Sequence, residues 1–243
     1  MSKALVIIPT YNELENIPVV LDKVLNLSIL FDVLFVDDNS PDGTAELVKD
    51  YAKKYDKRVF LESKNKKEGL GKAYTLGFYW ALSKNYQYIF EMDADLSHDP
   101  NDLVRMYKEI DSSNCDVIVG SRYINGINVV NWPLSRIILS YLASIYSRVI
   151  TGLPVMDATS GFVGYKREVL KKINLNSILF NGYAFQIELK FKAYKNNFKI
   201  LEIPIIFRDR IYGESKMNGD IILEAIFGLI KLKIYSFFND LNK

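Results

Sequence analysis

The first half of the chain alternates short apolar runs with amphipathic stretches. The runs lack helical spacing, whereas apolar residues in the stretches recur every three or four positions, as on one face of a helix. The runs predict strands at 4–9, 31–36, 58–61, 86–92 and 116–120, and the stretches predict helices at 13–26, 45–55, 69–83 and 101–110. This alternation predicts an α/β fold with a mostly parallel central sheet and helices on both faces.

The second half carries longer and more hydrophobic elements. It predicts helices at 133–153 and 184–194 and strands at 160–165 and 200–207, the last at an edge or crossing the sheet because Pro204 interrupts it. Segment 221–238 is apolar apart from Glu224, Lys231 and Lys233. It is too charged for a membrane span and favours an amphipathic helix in the lipid–water interface. A terminal helix packed on the domain and a dimer contact are the alternatives.

Length and composition favour one large domain. We expect it at 1–220 of the 243 residues, followed by an amphipathic tail at 221–243. Hydrophobic residues make up 49% of the chain and charged residues 25%, which suits a globular protein with a substantial core. The formal net charge of +2 is too small to indicate nucleic acid as a partner. The single cysteine, Cys115, is expected to be buried, and it favours a reducing, cytoplasmic compartment.

Polar clusters follow three of the predicted strands. They are Pro9-Thr10-Tyr11, Asp37-Asp38-Asn39 and Asp93-Ala94-Asp95. The carboxyl ends of parallel strands meet at one edge of a sheet, and open α/β sheets bind their ligands at that edge. We therefore expect the three clusters to converge on one site.

The pair Asp93 and Asp95 is the strongest candidate for a metal site. Side chains at i and i+2 of an extended segment point the same way, so two carboxylates would leave the strand side by side. They repel each other unless a cation lies between them, and Mg²⁺ binds through one or two carboxylates together with substrate phosphates. The pair therefore predicts a Mg²⁺ or Mn²⁺ site that holds a diphosphate. A solvated turn or a helix cap near Asp99 and Pro100 is the alternative.

Several segments resemble known transferases. IPTYNE at 8–13 and VDDNSPDGT at 36–44 resemble the opening of inverting family-two glycosyltransferases, which have the nucleotide-sugar-binding GT-A (Rossmann-like) fold. Further segments are similar to dolichyl-phosphate (polyprenyl-phosphate) mannose synthases: DADLSH at 93–98, GSRY at 120–123, NWP at 131–133, TSGF at 159–162 and DRIYGESK at 209–216. The resemblance covers about residues 3–220. It implies transfer of mannose from GDP-mannose to dolichyl or polyprenyl phosphate with inversion, which gives polyprenyl β-D-mannosyl phosphate and GDP.

The resemblance also implies which residues bind the nucleoside. Pro9, Tyr11 and Glu13 would hold the guanine nucleoside of the donor. Val36 and Asp38 would close on its base and ribose.

Around the diphosphate, the resemblance implies a second set of contacts. Asp93, Ala94 and Asp95 would face the diphosphate, with Asp93 and Asp95 as ligands of Mg²⁺ or Mn²⁺ and Asp95 the foremost ligand. Ser97 would contact the metal or a phosphate, although some members of the family carry Gln there. Arg122 would meet the transferred sugar or the phosphates.

Basic residues are predicted to hold the remaining phosphate charge. The resemblance implies that Arg210 and Lys216 come from a mobile loop that closes over the phosphates. Four residues are candidates for the acceptor phosphate, because guanidinium forks match phosphate oxygens in pairs: Arg122, Arg136, Arg210 and Lys216. The predicted catalytic residues are Asp95, Arg122 and Arg210.

A phosphate acceptor has little use for a general base. The second pKa of a phosphate monoester is about 6, so the acceptor is largely dianionic at neutral pH. His98 is the only histidine of the chain, and we expect it to be a capping or surface residue. Glu188 is the best carboxylate candidate for a base, with an ordinary exposed helix charge as the alternative.

A polyprenyl acceptor is held in the bilayer by its hydrocarbon tail, because each buried CH₂ group contributes about 0.8 kcal/mol. The protein would therefore have to come to the membrane to reach it. The helix at 133–153 and the segment 221–238 are the predicted docking surfaces, with Arg148, Lys231 and Lys233 at anionic headgroups. We expect a peripheral protein on the cytoplasmic face of the membrane.

Four other functions stay open. A polyprenyl-phosphate glucosyltransferase would use UDP-glucose, and the segment at 209–216 argues against it. A transferase acting on a hydroxyl group would need a general base. A nucleotidyltransferase would usually carry a glycine-rich phosphate loop after the first strand, where this chain has no glycine. A non-catalytic nucleotide-sugar-binding module would have no need of both acids and the basic loop.

Overall fold

The computed structural model describes residues 2–182, 184–209 and 219–238. The strands of the described part are β1 (Ala4–Thr10), β2 (Phe31–Asp37), β3 (Val59–Ser63), β4 (Tyr88–Glu91), β5 (Val117–Ser121), β6 (Val129–Val130), β7 (Val163–Lys166), β8 (Ile200–Pro204) and β9 (Phe207–Arg208). Its helices are α1 (Asn16–Leu25), α2 (Thr44–Lys54), α3 (Leu70–Ser83), α4 (Asn101–Ser112), α5 (Leu134–Thr151), α6 (Arg167–Lys172), α7 (Ala184–Lys195) and α8 (Gly219–Phe238).

Seven strands form one central sheet in the order β3-β2-β1-β4-β7-β5-β8. Only β7 runs antiparallel to its neighbours β4 and β5, so the mostly parallel sheet expected from the sequence is confirmed. The strands β1, β2 and β4 lie side by side and parallel, which brings their carboxyl ends to the same edge.

Two hydrophobic cores cover the two faces of the sheet. One core is built on α1, α2 and α4, with Val20 and Phe35 among its buried residues. The other is built on α3, α6, α7 and α8, with Phe78 and Phe185 in its interior. Cys115 is buried in the first core, as expected. Helices on both faces are therefore confirmed.

The strand predicted at 200–207 is divided in two. Its first part, β8, ends at Pro204 and forms the edge of the sheet beside β5, which confirms the expected edge position. Proline has no N–H group with which to extend a ladder, and the chain turns away after it. Its second part, β9, pairs with β6 in a separate two-stranded sheet that the sequence pattern did not predict.

The C-terminal helix α8 packs on α5 and α7. Leu229 and Leu232 are buried in the core. Lys233 Nζ donates a hydrogen bond to the carbonyl oxygen of Thr151 at 2.9 Å, so this lysine ties α8 to the end of α5 instead of facing outward to lipid headgroups. Lys231 is exposed. The described part of this segment is thus a helix packed on the domain, and its contact with lipid stays a prediction.

Glu188 is a buried structural residue, neither an exposed charge nor a base candidate at an open site. Its carboxylate lies 3.1 Å from Lys192 Nζ and accepts hydrogen bonds from the backbone N–H groups of Leu179 and Phe180. The residues Ala184–Ala193 of α7 are all buried, so even the polar positions of this helix face other parts of the protein. The charge of Glu188 is therefore neutralised within the fold.

We predict that Glu188→Ala lowers the free energy of unfolding by about 3–5 kcal/mol, because it leaves Lys192 as a buried charge without its ion-pair partner. The matched control is Glu168→Ala, which breaks the exposed pair of Glu168 Oε1 and Lys171 Nζ at 3.0 Å. That change should cost less than about 1 kcal/mol. Denaturant unfolding of both variants measures the difference, and equal effects would contradict the structural role of Glu188.

Candidate active site

A cavity of about 420 Å³ opens near the carboxyl ends of β4 and β5 and runs between α5, α7 and α8. One end is polar and carries Asp93, Asp95 and Arg122. The other end is apolar, and its lining includes Leu139, Leu142, Ala143, Ile187, Ile226 and Leu229. A single space therefore joins charged groups to a hydrophobic groove.

The two acids lie in the turn that follows β4. Asp95 Oδ1 accepts a hydrogen bond from the backbone N–H of Ser97 at 3.0 Å, which fixes this carboxylate against the turn. The side chain of Asp93 is 38% exposed and the more open of the two, whereas Asp95 is buried. Both line the polar end of the cavity, so the structure brings the predicted pair together.

His98 supports this turn from below, and the expected surface position of its ring is wrong. The ring is 2% exposed and stacks on Phe162 with centroids 4.7 Å apart. Burial lowers the pKa of His98 to about 4, so the imidazole is neutral at physiological pH. Its Nδ1 accepts a hydrogen bond from the backbone N–H of Asp93 at 3.3 Å. His98 therefore holds the first acid in place through the main chain.

The acid turn fits a divalent cation of the magnesium type. No three His, Cys, Asp or Glu side chains converge on a common point within the described ranges, so the protein alone would not complete a zinc-like ligand set. Asp93 and Asp95 offer hard carboxylate oxygens beside an open cavity. Mg²⁺ and Mn²⁺ suit such a site, where substrate phosphates and water supply the remaining ligands.

Arg122 is held at the polar end by a buried ion pair. Its Nε and Nη2 atoms donate to the two carboxylate oxygens of Asp157, each at 2.7 Å, and Nη2 also donates to Thr159 Oγ1 at 2.8 Å. Burial alone would raise the pKa of Asp157, but the charge of Arg122 outweighs it and holds that pKa below its usual range. The guanidinium is therefore charged and rigidly oriented toward the cavity.

A second arginine lines the same cavity from α5. Arg136 lies over the ring of Trp132, with its guanidinium carbon 4.0 Å from the ring centroid. Its Nη1 donates to Asp209 Oδ1 at 3.0 Å. The structure thus brings Arg136 into one cavity with Arg122 and the acid turn, and its contact with the acceptor phosphate stays a prediction.

The residues predicted to hold the nucleoside lie at the neighbouring strand ends and do not line this cavity. Pro9, Tyr11 and Glu13 belong to β1 and the loop after it, and Lys67 Nζ lies 3.7 Å from the centroid of the Tyr11 ring. The backbone N–H of Glu13 donates to Thr44 Oγ1 at 3.0 Å, so this loop is joined to the start of α2. Their roles in nucleoside binding stay predictions.

Four other predicted residues are largely enclosed. The side chain of Val36 is buried in the core, as is that of Ala94. Ser97 is 2% exposed. Asp38 accepts hydrogen bonds from Lys64 Nζ at 2.7 Å and from the backbone N–H of Gly69 at 2.8 Å, so a ribose would compete with these donors for its carboxylate.

Arg210 and Lys216 lie outside the described residues, and their predicted contacts with phosphate stay predictions.

Sequence reasoning missed two residues of the polar end. Asp157 stands two positions before the TSGF segment, and only its contact with Arg122 reveals its importance. Gln186 lines the cavity from the first turn of α7.

The sheet, the acid turn and the cavity define a glycosyltransferase of the GT-A fold. Residues 5–174 match the profile of Glycosyl transferase family 2. The structure is similar to that of glucosyl-3-phosphoglycerate synthase from Mycobacterium tuberculosis in complex with Mn²⁺, UDP and glucosyl-3-phosphoglycerate. The TM-score is 0.67 at 15% identity, over 97% of this chain and 79% of that chain.

Two relatives are similar in sequence over most of the chain. The polyprenol monophosphomannose synthase of Mycolicibacterium smegmatis is 44% identical over 225 residues, which are 93% of this chain and 84% of the relative. The undecaprenyl-phosphate mannosyltransferase of Micrococcus luteus is 40% identical over 229 residues, which are 94% of this chain and 93% of the relative. The chain belongs to glycosyltransferase family 2, and the resemblance to polyprenyl-phosphate mannose synthases is confirmed.

Proposed function

We propose that this glycosyltransferase moves mannose from GDP-mannose to a polyprenyl phosphate and releases GDP. The observation that carries the proposal is the cavity that joins Asp93, Asp95 and Arg122 to an apolar groove. An acceptor with an anionic head and a hydrocarbon tail matches that division. The names of the two sequence relatives, both mannosyl transferases to polyprenyl carriers, support the same reading.

The acid turn would serve the donor diphosphate. When bound at Asp93 and Asp95, Mg²⁺ or Mn²⁺ would neutralise the diphosphate and stabilise the departing GDP. Asp95 is fixed by the backbone N–H of Ser97, and Asp93 by the contact of its own N–H with His98. The chain thus orients the Asp95 carboxylate and the main chain of Asp93 before any ligand binds, which lowers the cost of assembling the site.

The arginines would serve the acceptor phosphate. Two unit charges of the same sign repel by about 4 kcal/mol at 4 Å and an effective dielectric constant near 20, so donor and acceptor phosphates need cations between or beside them. Arg122 has its Nε and Nη2 engaged by Asp157 and Thr159, and its Nη1 donates no hydrogen bond within the described residues. We assign that atom, together with Arg136, to the acceptor phosphate.

The proposed step needs no general base. An oxygen of the acceptor phosphate forms the bond to C1 of mannose while the bond from C1 to the diphosphate oxygen breaks, and GDP leaves with the electron pair. Attack from the opposite side inverts C1, so the α-linked donor gives a β-linked product. Of the described residues that line the cavity, only Asp93, Asp95 and the neutral His98 resemble a base, and each has another task.

Incubation with radiolabelled donors tests this proposal. GDP-mannose, UDP-glucose and UDP-galactose are each supplied with undecaprenyl or dolichyl phosphate, and the label extracted into organic solvent is counted. We expect transfer from GDP-mannose at least about 100-fold above the other donors. We expect Asp95→Ala to lose at least about 100-fold in rate, because a preorganised electrostatic contact is removed. Labelling of the lipid from UDP-glucose alone would contradict the proposed donor.

We further propose that the enzyme works as a peripheral protein on the cytoplasmic face of the membrane. The helices α5 and α8 flank the apolar groove, and they expose Leu134 by 71%, Val149 by 76% and Phe227 by 68%. None of the described helices has both the length and the low charge that crossing a bilayer requires. An apolar surface beside the groove would let the lipid tail pass from the bilayer to the site.

Vesicle flotation tests the membrane contact. We expect the protein to float with anionic liposomes. We expect Val149→Glu combined with Phe227→Glu to reduce the bound fraction at least about tenfold, because burial of each large apolar side chain stabilises by about 1.5–3 kcal/mol. The matched control is Leu30→Glu, an equally apolar position that is 53% exposed ahead of β2. Wild-type protein that stays with the aqueous fraction while it glycosylates short-chain acceptors would contradict the contact.

A further inference from the structure

A group of buried polar side chains lies directly beneath the polar end of the cavity. Glu91 on β4, Tyr165 on β7, and Gln186 and Lys190 on α7 are all at most 1% exposed. Both carboxylate oxygens of Glu91, the Tyr165 hydroxyl and both amide atoms of Gln186 have no hydrogen bond of good geometry. A buried polar group without a partner destabilises the folded state, so such a cluster calls for an explanation.

Lys190 fixes the walls of the cavity around Gln186. Its Nζ donates to the carbonyl oxygen of Ser160 at 2.7 Å and to that of Gln186 at 3.1 Å. These two hydrogen bonds join the segment before β7 to the first turn of α7. A Cβ atom placed on Gly161 would lie 3.9 Å from Gln186 Nε2, and Gly161 lines the cavity too, so the amide lies next to the cavity wall.

The amide of Gln186 is itself buried, and its side chain has neighbours in the sheet and in the wall of the cavity. The Glu91 carboxyl faces it from the sheet, close enough for the amide to favour the ionised carboxylate. On its other side Gln186 lines the cavity together with Asp93, Asp95 and Arg122. The Gln186 side chain thus belongs both to the buried polar group and to the lining of the cavity where the proposed chemistry occurs.

We infer that the Gln186 amide binds a hydroxyl group of the transferred hexose and so helps to select the donor sugar. The inference rests on the proposed function for the presence of a hexose at the polar end. A primary amide both donates and accepts, which matches a hydroxyl group, whereas phosphate oxygens accept only. The guanidinium groups of Arg122 and Arg136 are already assigned to phosphate oxygens. The uncharged amide of Gln186 therefore suits the uncharged hexose.

A series of deoxy donors tests the inference. The kcat/KM values of GDP-mannose and of its 2-, 3-, 4- and 6-deoxy analogues are compared for wild type and Gln186→Met, which removes both polar atoms and keeps the length of the side chain. We expect one analogue to lose at least about tenfold in wild type, because the site's amide is then left unpaired. In the variant that loss should shrink to less than about threefold, with the other three ratios unchanged.

Ratios within one variant cancel any general loss of activity, so a merely structural role of Gln186 would leave all four unchanged. That result would overturn the inference, and the amide would then be assigned a hydrogen bond to water instead of to the hexose. If Gln186→Met fails to fold, Gln186→Asn, which retains a shorter amide, is measured by the same criterion. The matched control is Gln87→Met at the only other glutamine, which is exposed, and its ratios should equal those of wild type.

The proposed function and the inference fail in different ways. Wild-type enzyme that transfers glucose from UDP-glucose and nothing from GDP-mannose contradicts the proposed donor. The deoxy series is then made on the glucose donor, and the same comparison of ratios between wild type and Gln186→Met decides the role of the amide. Selective loss of discrimination at one hydroxyl supports the inference with either sugar.

Discussion

Repulsion between anions is the constraint on which the whole site depends. In the proposed reaction, a diphosphate, an acceptor phosphate and the carboxylates of Asp93 and Asp95 must gather within one cavity of about 420 Å³. The fold supplies positive charge in the same cavity, where the charge of Asp157 outweighs burial, raises the pKa of Arg122 and keeps it ionised. A buried ion pair contributes little net stability, so its value here lies in holding a charge in a fixed place.

The cavity also joins a polar environment to an apolar one. The helix α5 carries Arg136 near its beginning, where the cavity is polar, and Leu139 and Leu142 further along, where the cavity is apolar. The helix α8 closes the groove from the other side with Leu229. A lipid phosphate could therefore keep its tail in an apolar groove while its head reaches the acid turn. Helix α5 would thus fix the position of the phosphate headgroup relative to that of the hydrocarbon tail.

Local sequence patterns predicted the sheet, most helices and the acid pair, because periodicity and strand-end chemistry are set by neighbours in the chain. They failed where burial depends on distant partners. His98 was expected to be a capping or surface residue, and it is buried against Phe162, where its Nδ1 accepts the backbone N–H of Asp93. Glu188 was expected to be a base or an exposed charge, and it is enclosed with Lys192. The pairing of β6 with β9 is likewise a tertiary event, because two residues in each strand carry no periodic signal.

Dependence on a divalent cation tests the central claim most directly. The initial rate of hexose transfer to polyprenyl phosphate is measured for the purified enzyme with an excess of chelator, and again after Mg²⁺ or Mn²⁺ is restored beyond the chelator. The account predicts a fall of at least about 100-fold and full recovery, since the metal stabilises the departing diphosphate. Equal rates with and without chelator would contradict it.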